Sequence, residues 1–299
     1  MRLLVIGGSG LLGSNFSIIS SNNNEVISTY SKNQIQLNGC SCIKLDATNL
    51  SDLTNVIKKV KPETIVNCAG LTNVDYCETH KDEAHNLNVK IPQNLVLSQK
   101  DSSFKIVHIS TDSVFDGKKG NYTEDDLTTP LNVYSKTKLD GEKVVLNSNN
   151  YLILRTNLFG WNFLEKLSLA EWFIEKLSKK QKTSGFSDVF FNPLTVNTLT
   201  EIILKLLNTK ASGLYHLGST KISKYEFGTK IAELFNLDKT NIAPSSIDDI
   251  STIAKRPKNT TLKTQKISKL INMPSIEDEL KLFYKLKNNG YYERLKGNS

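Results

Sequence analysis

MRLLVIGGSGLLGS, residues 1–14, reads as a short apolar run, a cluster of glycines and the start of a helix. A signal peptide would also pair a basic residue with an apolar stretch, but it has no use for Gly7, Gly8, Gly10 and Gly13. A buried strand, a glycine turn and a helix form the context of a dinucleotide fingerprint. Both G-x-G-x-x-G (Gly8, Gly10, Gly13) and G-x-x-G-x-x-G (Gly7, Gly10, Gly13) are satisfied. In that motif the first glycine permits a tight turn, the next lets backbone approach a pyrophosphate, and the last lets helix and strand pack closely. The helix N-terminus then offers free N–H groups and a positive dipole end to phosphate.

Further along, the second apolar run (residues 25–28) ends in Thr29, Tyr30, Ser31 and Lys32. An NAD site usually carries a carboxylate there for the ribose 2′-hydroxyl. A hydroxyl followed by an ammonium instead suits a 2′-phosphate, so Ser31 and Lys32 favour NADPH, with NADH still open.

Strand and helix patterns keep alternating. Residues 43–45, 64–67, 104–109 and 152–155 read as strands. Residues 51–60, 74–99 (with a break near Pro92) and 132–146 read as helices. This rhythm predicts an α/β fold, a Rossmann-type doubly wound parallel sheet with right-handed crossovers. Ligands then bind beyond the carboxyl ends of the strands, at Asp46-Ala47-Thr48, Cys68-Ala69-Gly70 and Ser110-Thr111-Asp112. After about residue 160 the pattern loosens into helices at 165–180, 196–207, 224–234 and 275–287, with a strand at 214–217. The expected division is a dinucleotide-binding domain over 1–160, with 196–218 returning to it, and a smaller mixed α/β substrate lobe from 161–195 and 219–299.

Composition removes several classes. The 299 residues are 38% hydrophobic and 23% charged, with no apolar run long enough to span a membrane. Four cysteines (Cys40, Cys42, Cys68, Cys77) in so long a chain are no disulfide framework, and four scattered histidines give no metal cluster. The reading is a cytoplasmic protein without a metal. The net charge of +8 comes almost wholly from lysine, with arginine only at Arg2, Arg155, Arg256 and Arg294. Phosphate and base-edge recognition favours the planar guanidinium, so no nucleic-acid partner is expected.

Tyr134-Ser-Lys-Thr-Lys138 carries the chemistry. Tyr and Lys at i and i+4 share one helix face. The ammonium is expected to favour the phenolate and lower a tyrosine pKa that starts near 10. Thr111, just past the strand at 104–109, could present a hydroxyl to the same place.

Several long motifs then appear in order: VNCAGLTNVDYCE (66–78), LNVKIPQNL (87–95), HISTDSVFDGKKGNYTEDD (108–126), TPLNVYSKTKLDGE (129–142), GLYHLG (213–218), SKYEF (223–227) and KRPKNTTL (255–262). With the glycine turn they make the chain resemble the extended short-chain dehydrogenase/reductase superfamily, and within it the dTDP-4-dehydrorhamnose reductase family. The resemblance implies an oxidoreductase that reduces a 4-keto sugar nucleotide with NADPH in polysaccharide or glycoconjugate synthesis. Tyr134 would be the general acid, Lys138 would hold the nicotinamide ribose, and Thr111 would bond the reacting oxygen. The cofactor would meet Gly7, Gly10, Leu11, Leu12, Ser31, Lys32, Asp46, Ala47, Cys68, Ala69, Gly70, Tyr134 and Lys138. Thr72, Val74, Thr111, Asp112, Asn157 and Arg256 would face the nucleotide-sugar substrate, and Asn88 would support the catalytic helices.

Three departures matter. Leu158 stands where rhamnose-forming members carry a tryptophan beside the sugar, with Trp161 three residues on. Ser113 replaces a tyrosine, and Asn15 replaces the glutamate by which some members bridge a dimer through magnesium. The sugar pocket should therefore differ from that of rhamnose-forming enzymes, and any homodimer would form without that metal. Residues 130–149 and 223–238 also resemble the regulatory β subunit of methionine adenosyltransferase, so an NADP-binding regulatory subunit is the alternative. An epimerase recycling bound NAD is a third, disfavoured by the missing carboxylate at residues 29–32.

Overall fold

The structure, a computed structural model, describes residues 1–164, 166–291 and 295. Its frame is a sheet of seven parallel strands: β1 (Arg2–Ile6), β2 (Glu25–Tyr30), β3 (Ser41–Lys44), β4 (Thr64–Asn67), β5 (Lys105–Thr111), β6 (Tyr151–Thr156) and a last strand, Gly213–His216. The spatial order is β3-β2-β1-β4-β5-β6 followed by Gly213–His216. This is the doubly wound order expected of the alternating pattern. The winding reverses between β1 and β4, which lie side by side with Ile6 opposite Asn67. A crevice opens at their carboxyl ends because the chain leaves them in opposite directions.

The period-two alternation of β1 sorts its side chains onto two faces. Leu3 and Val5 join a core with Leu12 and Phe16 of α1 (Leu11–Ser20) and with Leu199, Ile202 and Leu206 further along the chain. Leu4 and Ile6 enter the opposite core with Leu53 and Ile57 of α2 (Leu50–Val60) and with Ile91 and Leu95. Full burial of each such side chain contributes roughly 1.5–3 kcal/mol, so neither face tolerates a one-residue slip in register. A third core is aromatic, with Phe159, Trp161, Phe163, Phe173, Phe191, Phe227 and Phe283 all buried. Around it three small pairings replace the main sheet: Leu158–Phe159 with Leu194–Thr195, Phe190–Phe191 with Ile222–Ser223, and Thr183–Phe186 with Ile242–Ser245.

The helical stretch expected over 74–99 is built differently. It consists of α3 (Val74–Thr79), α4 (Lys81–His85), a π-turn (Asn86–Lys90) and α5 (Ile91–Ser98). The interruption falls at His80 rather than near Pro92. Pro92 lies in the first turn of α5, and the wider π-turn before it accommodates a residue that has no N–H to donate. The fifth strand does not stop at 109 but runs through Thr111, which pairs with Thr156. Downstream lie α6 (Val133–Val145), α7 (Leu169–Ser178), α8 (Val196–Leu207), α9 (Lys224–Leu234) and α10 (Ile276–Asn288). The helix read over 165–180 begins only at Leu169, because Ser168 caps it in a box with Glu171. Residue 165, and residues 292–294 and 296–299 of the expected second lobe, lie outside the described residues. Among the described residues no helix is long and apolar enough to cross a membrane.

Candidate active site

The turn after β1 is shaped by its glycines. Gly7 has φ of +85°, and a Cβ there would stand 2.7 Å from the backbone N of Ala69. A Cβ on Gly13 would meet the Gly7 carbonyl oxygen at 2.1 Å, so the third motif glycine lets α1 sit against the turn. Gly10 differs: a Cβ there would meet only that same carbonyl, at 3.4 Å. Its open side faces a cavity of about 550 Å³ at the crevice, whose wall includes Ser9, Gly10, Leu11 and Leu12. No side chain caps α1, and its first turn holds no acidic residue. An uncapped helix start with no Cβ over it is the cradle a pyrophosphate requires, so the residues present fit a dinucleotide.

Cys68, Ala69 and Gly70 follow β4 along the same wall. Their course is set from both sides. Asn67 Oδ1 accepts from the Ala69 N–H at 3.2 Å, while Asn88 accepts from the Leu71 N–H at 2.9 Å and donates to the Leu71 carbonyl at 3.2 Å. Asn88 sits in the π-turn and also donates to Thr137 Oγ1 of α6 at 3.0 Å. One buried amide therefore ties the cofactor-side loop to the helix carrying Tyr134 and Lys138, the supporting place expected for it. Burial pushes the Cys68 thiol up to about 12, so it presents a neutral thiol to the cavity.

Helix α6 starts where Asn132 accepts from the Ser135 N–H at 2.8 Å. The same side chain donates to the Lys255 carbonyl at 2.8 Å, which fastens the loop carrying Arg256 beside the helix. Tyr134 and Lys138 then face the cavity one turn apart, with Thr111 at the end of β5 beside them. Lys138 Nζ donates to the Ile109 carbonyl at 2.7 Å. Burial draws its pKa down to about 8, against the opposing pull of Glu142 and Cys68. Burial also pushes the Tyr134 phenol up to about 12, although the Thr111 hydroxyl favours the phenolate. This corrects the expectation that the neighbouring ammonium would lower it. Desolvation of the ring is the largest cause, and Asp112 and Cys77 push the same way. At neutral pH the tyrosine therefore holds its proton.

Of the residues read from the sequence, Gly10, Leu11, Leu12, Cys68, Ala69, Gly70, Thr72, Val74, Thr111, Tyr134, Lys138, Asn157 and Arg256 line this one cavity. Gly7 lies behind it in the turn. Ser31 and Lys32 are exposed just past β2, next to the turn through the Gly8 N–H, which donates to the Thr29 carbonyl at 2.8 Å. Exposed Asp46 turns back on its own loop, accepting from Thr48 Oγ1 at 2.6 Å, and Ala47 is buried.

Asp112 does not reach the cavity. It is wholly buried and accepts from Thr111 and Ser113 on one oxygen, and from Asn157 (3.2 Å) and Thr260 (2.6 Å) on the other. It thus joins the ends of β5 and β6 to the segment around 260. Arg256 reaches the wall but is committed to Asp75 of α3, with its two terminal nitrogens at 2.6 and 3.2 Å from that carboxylate. The guanidinium holds the Asp75 carboxyl below its ordinary range.

Two of the departures are explained by packing. Leu158 is in the wall, whereas Trp161 is buried in the aromatic core, stacked on Phe283 at 4.1 Å, and takes no part in the cavity. Asn15 is wholly buried: it donates to the Trp161 carbonyl at 2.9 Å and accepts from the Tyr291 hydroxyl at 2.5 Å. It fastens α1 to the aromatic core. Sequence reasoning missed Asn132, Thr260, Lys166 and Lys224 in the wall. Lys224 lies within the SKYEF motif, and its Ser223-x-x-Glu226 capping pattern opens the helix that carries it.

The chain is 28% identical over 289 residues to the probable low-salt glycan biosynthesis reductase Agl14 of Haloferax volcanii, covering 94% of this chain and 96% of that one. It is 31% identical over 287 residues to methionine adenosyltransferase 2 subunit beta of Rattus norvegicus, covering 90% and 82%. Among solved structures, dTDP-4-dehydrorhamnose reductase from Bacillus anthracis str. Ames in complex with NADP superposes with a TM-score of 0.82 at 28% identity, over 95% of this chain and 98% of that one. The profile of the RmlD substrate binding domain matches residues 1–288, and the chain belongs to that family.

Proposed function

We propose that this protein reduces the keto group of a 4-keto sugar nucleotide with NADPH, in the synthesis of a polysaccharide or glycoconjugate. The observation that carries the reading is the meeting of Thr111, protonated Tyr134 and charged Lys138 in one cavity with the uncapped start of α1. The similarity to reductases supports it. Bound nicotinamide supplies the hydride. The dinucleotide lies in the half built from 1–160 and 196–218, with its phosphates at Gly7, Gly10, Leu11 and Leu12. Its adenosine end lies towards Ser31, Lys32, Asp46 and Ala47, and its central part along Cys68, Ala69 and Gly70. The sugar lies between Thr72, Val74, Asn157, Arg256 and the lobe built from 161–195 and 219–299, with Asp112 holding that wall from behind. As charge develops on the substrate oxygen, Tyr134 donates its phenolic proton and Thr111 hydrogen-bonds the same oxygen. Lys138 holds the ribose and favours the phenolate once the proton has left.

The test is NADPH oxidation against a panel of dTDP-, UDP-, GDP- and CDP-linked 4-keto sugars, with saturable turnover of at least one member as the expected result. A non-catalytic regulatory subunit is the second reading, favoured by the 31% identity to subunit beta over 90% of the chain. Absence of turnover across the panel, together with tight NADP binding, would make it the better one.

Two predictions concern the cofactor. NADPH should bind more tightly than NADH, and Lys32→Glu should narrow or reverse that preference, because the exposed Lys32 ammonium stands where a 2′-phosphate would be met. Titration calorimetry that finds equal affinities in the unsubstituted protein would exclude this role. Affinity for NADPH should also weaken as the pH rises through about 8, because the Lys138 ammonium, the form that donates to the ribose, is lost there. In Lys138→Met that pH dependence should vanish, leaving a uniformly weaker complex.

A further inference from the structure

Among the described residues, the wall of the cavity carries four cations, Lys138, Lys166, Lys224 and Arg256, and no aspartate or glutamate. Three of them have partners. Lys138 donates to the Ile109 carbonyl, Lys166 donates to Thr72 Oγ1 at 3.2 Å, and Arg256 is paired with Asp75. Lys224 is different: among the described residues its ammonium makes no hydrogen bond and no ion pair. The ring of Phe191 is centred 6.0 Å away, too far for more than a weak attraction.

The lysine is nevertheless held in place. It is the first residue of α9, where Ser223 and Glu226 form a capping box, and its own N–H donates to the Val189 carbonyl at 3.0 Å. The carboxylate whose charge reaches it is that of Asp112, but Thr111, Ser113, Asn157 and Thr260 already donate to both oxygens of that group. The residue is half-buried, and burial draws its pKa below the ordinary lysine value; an ammonium so desolvated and left without a partner carries a cost that is recovered when an anion enters.

We infer that Lys224 is a specificity-determining residue that binds an anionic oxygen of the substrate in this cavity. The inference rests on the reductase reading and deepens it: the ligand on the sugar side must carry negative charge within reach of α9. Two sources share this chemistry, the diphosphate of the sugar nucleotide and a carboxylate on the sugar ring. A neutral sugar without its nucleotide offers neither.

The protein saturated with NADP⁺ is titrated calorimetrically with dTDP, UDP, GDP and CDP, then with UDP-glucose and UDP-glucuronate. The titrations are repeated with Lys224→Met and Lys224→Arg. Lys224→Met is expected to weaken the anionic ligand by about 10- to 100-fold, the size of a lost charge-assisted hydrogen bond. Lys224→Arg should recover most of the loss. NADP⁺ affinity, which reports the fold and the cofactor half, should stay within about twofold. A loss seen already with the nucleoside diphosphates assigns the diphosphate, and a loss confined to UDP-glucuronate assigns a ring carboxylate.

Equal affinities in the unsubstituted protein and Lys224→Met would overturn the inference while leaving the reductase reading intact, provided that a keto sugar nucleotide is still turned over. If the unsubstituted protein neither bound any of these ligands nor oxidised NADPH with any sugar nucleotide, the reductase reading would itself fail, and this inference with it.

Discussion

Tyr134→Phe is expected to lower turnover of an authentic keto-sugar substrate by roughly 10²–10⁴-fold while NADPH affinity survives. The ring and its packing at the start of α6 are retained, and only the proton is removed. In the free protein burial holds that proton to about pH 12, so loss of activity through tyrosine ionisation lies above the ordinary working range. The downturn on the alkaline side should come instead from Lys138, near pH 8. Thr111→Val is a milder companion, since it leaves the proton donor and takes away one hydrogen bond to the reacting oxygen. Stopped-flow measurement of NADPH oxidation separates these effects from binding. A Tyr134→Phe protein that reduced the substrate at the unsubstituted rate would remove tyrosine from the acid's role.

The largest effect on stability is expected behind the site. Glu142, one turn beyond Lys138 on α6, is paired with Arg155 of β6 at 2.7 Å, and both side chains are almost wholly buried. The guanidinium is held further by His216 at 3.3 Å and lies over the Phe115 ring, while Ser110 hydrogen-bonds the carboxylate. Arg155→Met would leave a buried carboxylate without its counter-charge, which costs about 3–5 kcal/mol. Replacing both partners, as Glu142→Leu with Arg155→Met, should recover much of that loss, because the desolvation penalty disappears with the charges. Urea unfolding of the single and double variants measures the difference. A double variant as unstable as the single would show that the pair's hydrogen bonds, rather than its charges, hold β6 to α6. Glu142→Gln should also move the alkaline downturn of NADPH affinity to lower pH, since its charge helps keep Lys138 protonated.

Much of this was legible in the residues before any coordinates. The order of strands and helices, the glycine turn and the Tyr134–Lys138 face all follow from local rules: side-chain period, the absence of a Cβ, and spacing along a helix. These depend on residues near one another in the chain, so a single sequence determines them. Tertiary structure decided what depends on neighbours distant in sequence. The pKa of Tyr134 is set chiefly by how completely its surroundings desolvate it, with Asp112 and Cys77 raising it further and Thr111 lowering it. Asp112 faces away from the cavity because Asn157 and Thr260 approach it from elsewhere in the chain. Trp161 joins the aromatic core because Phe283 stacks on it across more than a hundred residues. Asn15 is interior because Trp161 and Tyr291 come to it. That the Lys224 ammonium has no partner among the described residues could not be read from its own segment at all. A charge is known to lack a partner only once every group that could have reached it has been put in its place.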